Sequence, residues 1–186
     1  MPAVNILNMD ESEGVCDIHR DMNLLFAASG NIRNVVKSIT EGLLDGYDGR
    51  CTLAINDINL MVVACNAILL FLALSLEHEE AVTILKHIWY SALLAPAMID
   101  TLGQVALGRI AEVCEKIKYK PSTSLQAKTF SFGKWSLQLV LKKHQWDELK
   151  DYFNVPRDLT QEDAQDIRRG SIICIVRYAI SLVRSE

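Results

Sequence analysis

The sequence predicts an α/β protein with a Rossmann-like, methyltransferase-like beginning, and three observations support this. Two short apolar runs, 23–28 and 51–56, have the length of buried strands. A segment with helical spacing, 32–44, lies between them, and a glycine-bearing turn at Ser29-Gly30-Asn31 precedes it. A strand, a turn, a helix and a second strand predict parallel neighbouring strands joined by a right-handed crossover. We therefore expect a small, partly parallel sheet, a helix-rich middle and a C-terminal hairpin.

The composition argues against several functional classes. Of the 186 residues, 50% are hydrophobic and 23% are charged, which is ordinary for one globular domain. The net charge of −4 provides no basic excess to attract nucleic acid or an anionic membrane. The five cysteines are far apart and lack the CxxC spacing typical of zinc sites. Their odd number, without a recognisable signal peptide, predicts an intracellular location, cytoplasmic or nuclear.

The apolar segment 60–76 permits two interpretations. Its 17 residues are almost wholly apolar and lie at the lower limit for a membrane span. Asn66 lies in its middle, and acidic residues, Asp57 and Glu77, flank it where a membrane span would favour basic ones. We therefore expect a helix that is buried within the protein.

The second half of the chain reads as helices interrupted by one hairpin. The segment 77–96 predicts a helix that Pro96 ends or kinks, and Pro121 closes the helix after it. The apolar period then changes to two over 128–141, with Gly133-Lys134 in the middle, which predicts a β-hairpin. A further helix, "KKHQWDELKDYF", follows the hairpin.

These elements predict one domain with two peripheral segments. Residues 1–20 are polar and read as a flexible N-terminal arm, and 21–169 read as a single α/β domain. Within the domain, Thr160 and Asp163 resemble a capping box at the start of a last helix. Residues 170–186 form an atypical apolar tail, which fits either a strand or a short helix.

The opening turn has features of a nucleotide site. A helix that begins directly after a strand directs free N–H groups and a partial positive charge toward the turn. Asp57 ends the second strand, where an acidic side chain binds ribose hydroxyls in dinucleotide and S-adenosylmethionine folds. Ser29, Gly30, Asn31 and Asp57 are therefore the candidate cofactor-binding residues.

A purely structural interpretation of the same residues stays open. One glycine is not the GxGxxG pattern of phosphate loops, so Gly30 fits a simple tight turn equally well. Asp57 is also placed to cap the helix that begins near Asn59. The four histidines are scattered along the chain, so no catalytic residues and no metal site are predicted.

Four blocks of the sequence carry a resemblance to a known family. They are "FAASGNIRNVVKSI", "CTLAINDINLMVVACNAILLFLAL", "EEAVTILKHIWYSALL" and "SLQAKTFSFGKWSLQLVL". In this order they resemble a fungal domain of unknown function, over about residues 20–168. That domain commonly precedes a MYND-type zinc finger, and a related domain opens the dynein axonemal assembly factors. The chain departs from this pattern because it lacks the finger's cysteine spacing and because its tail from Gly170 onward differs.

The resemblance implies no established activity, substrate or catalytic residue. Together with the absence of a recognisable catalytic set, it favours a non-enzymatic protein-interaction or scaffold domain. Such a domain would have a protein partner and would require no cofactor, nucleic acid or membrane. The alternative is a degenerate Rossmann-like binder of S-adenosylmethionine or of a nucleotide.

Overall fold

The structure is a computed structural model that describes residues 19–42, 47–90 and 94–153. The predicted helix beginning at Thr160 and the apolar tail 170–186 lie outside these residues, as does nearly all of the predicted arm 1–20. The chain divides into two compact units, Met1–Val63 and Ala64–Glu186.

The N-terminal unit contains a strand, a helix and a second strand. β1 covers Met22–Ala27, α1 covers Arg33–Gly42 and β2 covers Cys51–Asn56. β1 and β2 pair in parallel, as predicted, and Phe26 lies beside Ile55 in the register. The described part of the chain places two strands in this sheet, which supports the mixed α/β class without extending it to a larger parallel sheet.

Burial alternates along β1 because successive side chains of a strand point to opposite faces. Phe26 is buried, whereas its neighbours Leu25 and Ala27 are exposed. Around α1 the buried side chains are Ile32, Val35 and Ser38. Their spacing of three residues places them along one side of a helix.

The long apolar segment forms α2, Leu60–Ser75, and seven of the nine residues from 64 to 72 are buried. Ile68, Phe71 and Leu72 are fully buried, and the buried Asn66 has an interaction partner. Within the described residues, no helix has the length and apolar character that crossing a membrane requires. The expectation of a helix buried in protein is confirmed.

The proline prediction was wrong for Pro96. α3 covers His78–Tyr90, and Pro96 opens the next helix, α4, which covers Pro96–Leu102. Proline is well suited to the first helical turn because the N–H group it lacks would have no partner there. α4 then passes through a π-helical turn, Gly103–Leu107, directly into α5, Gly108–Ile117.

The predicted hairpin is confirmed. β3, Leu125–Phe132, pairs antiparallel with β4, Trp135–Lys142, and Gly133 adopts φ +59° in the two-residue turn. A positive φ at the first turn position is the conformation that glycine allows in a tight hairpin. α6, Lys143–Asp151, begins directly after β4, and the Lys142 N–H donates to Gln145 Oε1 at 2.9 Å.

Aromatic side chains form the core of the C-terminal unit. The ring of Phe71 meets Phe130 edge to face at a centroid distance of 4.9 Å, and it meets Phe132 at 6.2 Å. The Trp146 side chain is fully buried, and its indole N–H donates to the Gln126 carbonyl at 3.1 Å. This hydrogen bond joins α6 to β3 and satisfies the polar atom of a buried tryptophan.

Candidate functional site

The turn after β1 is built by two residues in the left-handed region. Ala28 has φ +49° and Gly30 has φ +61°. Between them, the Ser29 N–H donates to the Asn56 carbonyl at 3.3 Å, which ties the turn to the end of β2. Two positive φ angles within three residues turn the chain sharply from the strand into α1. A left-handed alanine is uncommon because its Cβ crowds the backbone.

The backbone conformation at position 30 explains why glycine is needed there, and a close neighbouring atom does not. A Cβ built at Gly30 would meet no atom within 4 Å. The requirement for glycine therefore arises from φ +61°, which side-chain-bearing residues adopt at a cost. The sequence left two roles open for Gly30, admission of a ligand and formation of a tight turn. The positive φ supports the tight turn, and admission of a ligand stays a prediction.

Asp57 lies at the same edge of the sheet as Gly30, as the parallel pairing led us to expect. Its Oδ2 accepts the Gly30 N–H at 3.1 Å, and its Oδ1 accepts the Asn59 N–H at 2.9 Å. Each carboxylate oxygen therefore holds one backbone N–H group, one after each strand. Because hydrogen bonds to an ionised acceptor are the stronger kind, this carboxylate is a structural tie between two loops.

The remaining candidate side chains also bond locally. Asn31 Oδ1 accepts the Arg33 N–H at 3.0 Å and the Arg33 Nε–H at 2.9 Å, which caps the first turn of α1. The Ser29 hydroxyl donates to the Gly30 carbonyl at 3.4 Å, a long contact. The structure thus brings all four predicted residues together around one turn, and each takes part in its internal bonding. Whether they also bind a cofactor stays a prediction.

Asn59 is the residue of this region that sequence reasoning did not assign. It is the N-cap of α2, where its Oδ1 accepts the Met61 N–H at 3.0 Å. The signal was present, because asparagine directly before an apolar helical segment is a common cap. Asp57, the cap that the sequence suggested, supports the same helix start by accepting the Asn59 N–H.

The described residues contain no arrangement typical of catalysis. No group of three or more His, Cys, Asp or Glu side chains within them could hold a metal ion. His19 Nδ1 lies 2.6 Å from Asp48 Oδ1, but both side chains are exposed to solvent. His144 Nδ1 lies 3.0 Å from the Ser122 carbonyl, where it supports a loop. None of these contacts joins a base to a nucleophile.

Two of the described cysteines, Cys51 and Cys114, are not activated as nucleophiles either. Burial raises the pKa of the Cys51 thiol, which lies at the start of β2. Burial, with a smaller contribution from the negative charge of Asp147, also raises the pKa of Cys114. Cys114 Sγ is buried and donates to the Trp146 carbonyl at 3.3 Å. A raised pKa keeps a thiol protonated, whereas a nucleophilic cysteine needs a lowered one.

Comparison with known proteins identifies a family without identifying a function. A family model described as a domain of unknown function, DUF4470, matches residues 1–94, which is half of the chain. No curated protein and no solved structure matches the chain. The matched residues include β1, α1, β2, α2 and α3, and therefore all four candidate site residues. The chain belongs to the DUF4470 family of domains of unknown function.

Proposed function

We propose that this chain is a non-enzymatic protein-interaction or scaffold domain. The observation that carries the proposal is the state of Asp57, whose two oxygens each hold a backbone N–H group of the fold. The only carboxylate of the candidate site thus acts as a structural tie. Because the described residues contain no catalytic arrangement, the chemistry of the site supports a structural role and not catalysis.

Exposed aromatic and aliphatic side chains support the interaction role. Ile58 is fully exposed beside Asp57, and Tyr119 and Tyr90 are 91% and 72% exposed. Trp135 is 58% exposed at the end of the hairpin turn. Scattered single apolar side chains are normal on protein surfaces, but tryptophan and tyrosine are the residues most enriched at energetic centres of interfaces. These aromatics are the positions at which a protein partner would be anchored.

The second candidate function is a degenerate Rossmann-like binder of S-adenosylmethionine or of a nucleotide. The parallel pairing of β1 and β2 favours it, as does the position of Gly30 and Asp57 at one edge of that sheet. Each Asp57 oxygen keeps a lone pair that could accept a ribose hydroxyl. Binding would further require an open crevice of roughly 300 Å³ or more at this edge.

The proposal also includes a relation to two particular groups of domains and a cellular compartment. The sequence blocks support kinship with the fungal domain that precedes MYND-type fingers and with the opening domain of dynein axonemal assembly factors. The thiols of Cys51 and Cys114 are free, which supports a reducing compartment, the cytoplasm or the nucleus. We propose a protein partner and no cofactor, nucleic acid or membrane.

A thermal-shift screen separates the two candidate functions. The full chain would be heated with S-adenosylmethionine, S-adenosylhomocysteine, ATP and NAD, each in excess. A ligand at about 100 times its dissociation constant stabilises the folded state by about 2.7 kcal/mol, which is several degrees for a chain of this size. We expect no shift. A specific shift with any of these ligands, lost in Asp57→Ala but kept in Asp100→Ala, would replace the scaffold proposal with the binder.

The interaction role needs its own measurement. Proximity labelling in cells would compare the wild-type chain with a variant carrying Trp135→Ser and Tyr119→Ser, both exposed positions. We expect the variant to fold as the wild type and to lose a defined set of labelled neighbours. An identical set of neighbours would show that these aromatics do not anchor a partner.

A further inference from the structure

We propose that the turn end of the hairpin binds an acidic segment of a partner protein, an inference that rests on the proposed interaction role. The basic rim, as we name this surface, consists of five residues: Arg109, Lys128, Phe132, Lys134 and Trp135. The arginine comes from α5, and the other four residues belong to the hairpin of β3 and β4.

Two cations of the basic rim lie over neighbouring aromatic rings. The guanidinium carbon of Arg109 is 4.8 Å from the centre of the Phe132 ring. Lys134 Nζ is 5.2 Å from the centre of the Trp135 ring. Phe132 and Trp135 are opposite each other in the register, and opposite side chains of an antiparallel pair lie on the same face. The two rings therefore place both cations at one end of the hairpin.

Lys128 adds a third positive charge to this face. Its Nζ lies 5.8 Å from the centre of the Phe130 ring, and Phe130 lies on the same face of β3 as Phe132. A hydrogen bond from Lys116 is the main reason for the lowered pKa of Glu112, and the charge of Lys128 contributes less. The Glu112 carboxylate is thus close to Lys128 but is already paired with another lysine.

The described part of the chain does not neutralise the basic rim. Among the described residues, none of Arg109, Lys128 and Lys134 forms an ion pair. The stretch 116–146, which contains the hairpin, has seven lysines and neither aspartate nor glutamate, although the whole chain carries −4. Complementary charge across an interface favours binding of the matching partner and suppresses others. The partner that complements this surface carries carboxylates.

The aromatic residues of the basic rim favour a protein segment. Tryptophan and arginine are among the residues most enriched at the energetic centres of protein interfaces. The guanidinium of Arg109 stacks on a ring, and its planar N–H groups match the two oxygens of a carboxylate. Trp135 is 58% exposed beside the exposed Lys134. An acidic segment with an apolar side chain next to its carboxylates would contact the indole and the cations together.

A single-stranded nucleic acid fits the basic rim less well. Proteins that bind such strands stack bases on aromatic rings and follow the phosphates with a row of cations. Here the chain's own cations lie over the rings of Phe132 and Trp135. Three further lysines of the stretch 116–146 form ion pairs with residues three or four positions away: Lys116, Lys118 and Lys143. The cations left for a ligand suit a few carboxylates better than a long row of phosphates.

Selection from an unbiased peptide library tests the chemistry of the partner. Displayed peptides of about 12 random residues, long enough for a linear recognition motif, would be selected on the immobilised full chain. We expect the selected peptides to contain at least twice the library's share of Asp and Glu. Because the basic rim is small, synthetic copies should bind weakly, with dissociation constants of about 10–500 µM. Their binding should weaken as salt screens the charges.

Substitutions of single residues locate the binding site. Arg109→Gln and Lys134→Gln should each raise the dissociation constant of a selected peptide at least threefold, because each removes a cation that faces a carboxylate. Trp135→Ser should also raise it by removing the apolar anchor. Lys86→Gln, which removes the same charge at an exposed position on α3, should leave it unchanged. Circular dichroism would confirm that each variant is folded.

Three results would overturn the proposal. The first is a selection that yields no binding peptide, as expected if other residues already cover the basic rim. The second is a set of peptides without an excess of Asp and Glu, or one whose binding tolerates both Arg109→Gln and Lys134→Gln. The third is an oligothymidylate that binds more tightly than the selected peptides and is lost in the same variants, which would assign the surface to nucleic acid. The scaffold role is tested separately by the ligand and labelling experiments, so these results would not decide it.

Discussion

The backbone N–H of Gly30 donates to Asp57 Oδ2 at 3.1 Å, across 27 positions of the sequence. Through its other oxygen, Asp57 holds the Asn59 N–H at the start of α2. One carboxylate therefore fixes the loop after β1, the loop after β2 and the beginning of a helix. This relationship uses the arrangement expected of a nucleotide site for a structural purpose.

Removal of the Asp57 carboxylate should destabilise the fold. We expect Asp57→Ala to lower the free energy of unfolding by about 1–2 kcal/mol, because two backbone N–H groups lose a charged acceptor. Asp57→Asn should lose less, since its amide oxygen can still accept one of them. Urea denaturation would measure both variants, with Asp100→Ala on α4 as the control, expected within about 0.5 kcal/mol of wild type. An Asp57→Ala chain as stable as the wild type would show that the two hydrogen bonds contribute nothing.

The same substitution at two glycines should have opposite effects. A Cβ at Gly30 or at Gly103 would meet no atom within 4 Å, so space does not distinguish the two positions. Their backbones do, because φ is +61° at Gly30 and −58° at Gly103. We expect Gly30→Ala to destabilise by about 1–2 kcal/mol. Gly103→Ala should stabilise by about 0.5–1 kcal/mol, because alanine is less flexible in the unfolded chain. Denaturation curves would measure the change in the free energy of unfolding of each variant, provided that their slopes are equal. Changes of the same sign in the two variants would refute the prediction.

Two tryptophans offer a matched test of burial. Trp146 is fully buried and donates its indole N–H to the Gln126 carbonyl at 3.1 Å, whereas Trp135 is largely exposed. Trp146→Phe should cost about 1–3 kcal/mol, because a carbonyl loses its partner and a small void forms. Trp135→Phe should change stability by less than about 0.5 kcal/mol. The midpoints of guanidinium unfolding would report both, and similar midpoints would contradict the structural difference.

The buried thiol of Cys114 should make stability depend on alkaline pH. Its pKa is raised in the folded state by burial, so the unfolded chain releases this proton first as pH increases. The unfolded state then binds fewer protons, and the free energy of unfolding falls with pH. The contribution is fully present below the ordinary thiol pKa of about 8.5 and decreases above it. Cys114→Ser should reduce this decline while its hydroxyl keeps a donor for the Trp146 carbonyl.

Urea midpoints between about pH 7 and pH 10 would measure the effect, a window that spans the ordinary thiol pKa. Cys65→Ser is the control, and it should leave the decline that Cys114 causes in place. If the wild-type chain and Cys114→Ser have parallel pH profiles throughout, the thiol of Cys114 does not contribute.

The sequence by itself determined the local elements. β1 and β2 were predictable as short apolar runs, and the hairpin was predictable from a period of two around Gly133-Lys134, because these patterns follow from alternating burial. The glycine at position 30 also indicated a turn. The helix 60–76 was predictable as buried because acidic residues flank it and Asn66 interrupts it. In each case the element is determined by residues that are close together in the sequence.

Only the tertiary structure decided what depends on distant residues. The partners of Asp57 are 27 positions back and two positions ahead, and only the parallel pairing of β1 with β2 brings the distant one within a hydrogen bond. The left-handed Ala28 has no sequence signal, because alanine ordinarily avoids that conformation. The role of Pro96 depended on which helix its neighbours joined, since proline tolerates a helix start and disrupts a helix interior. Local sequence preferences thus determine the helices and strands. Long-range hydrogen bonding and packing determine the role of the turn after β1.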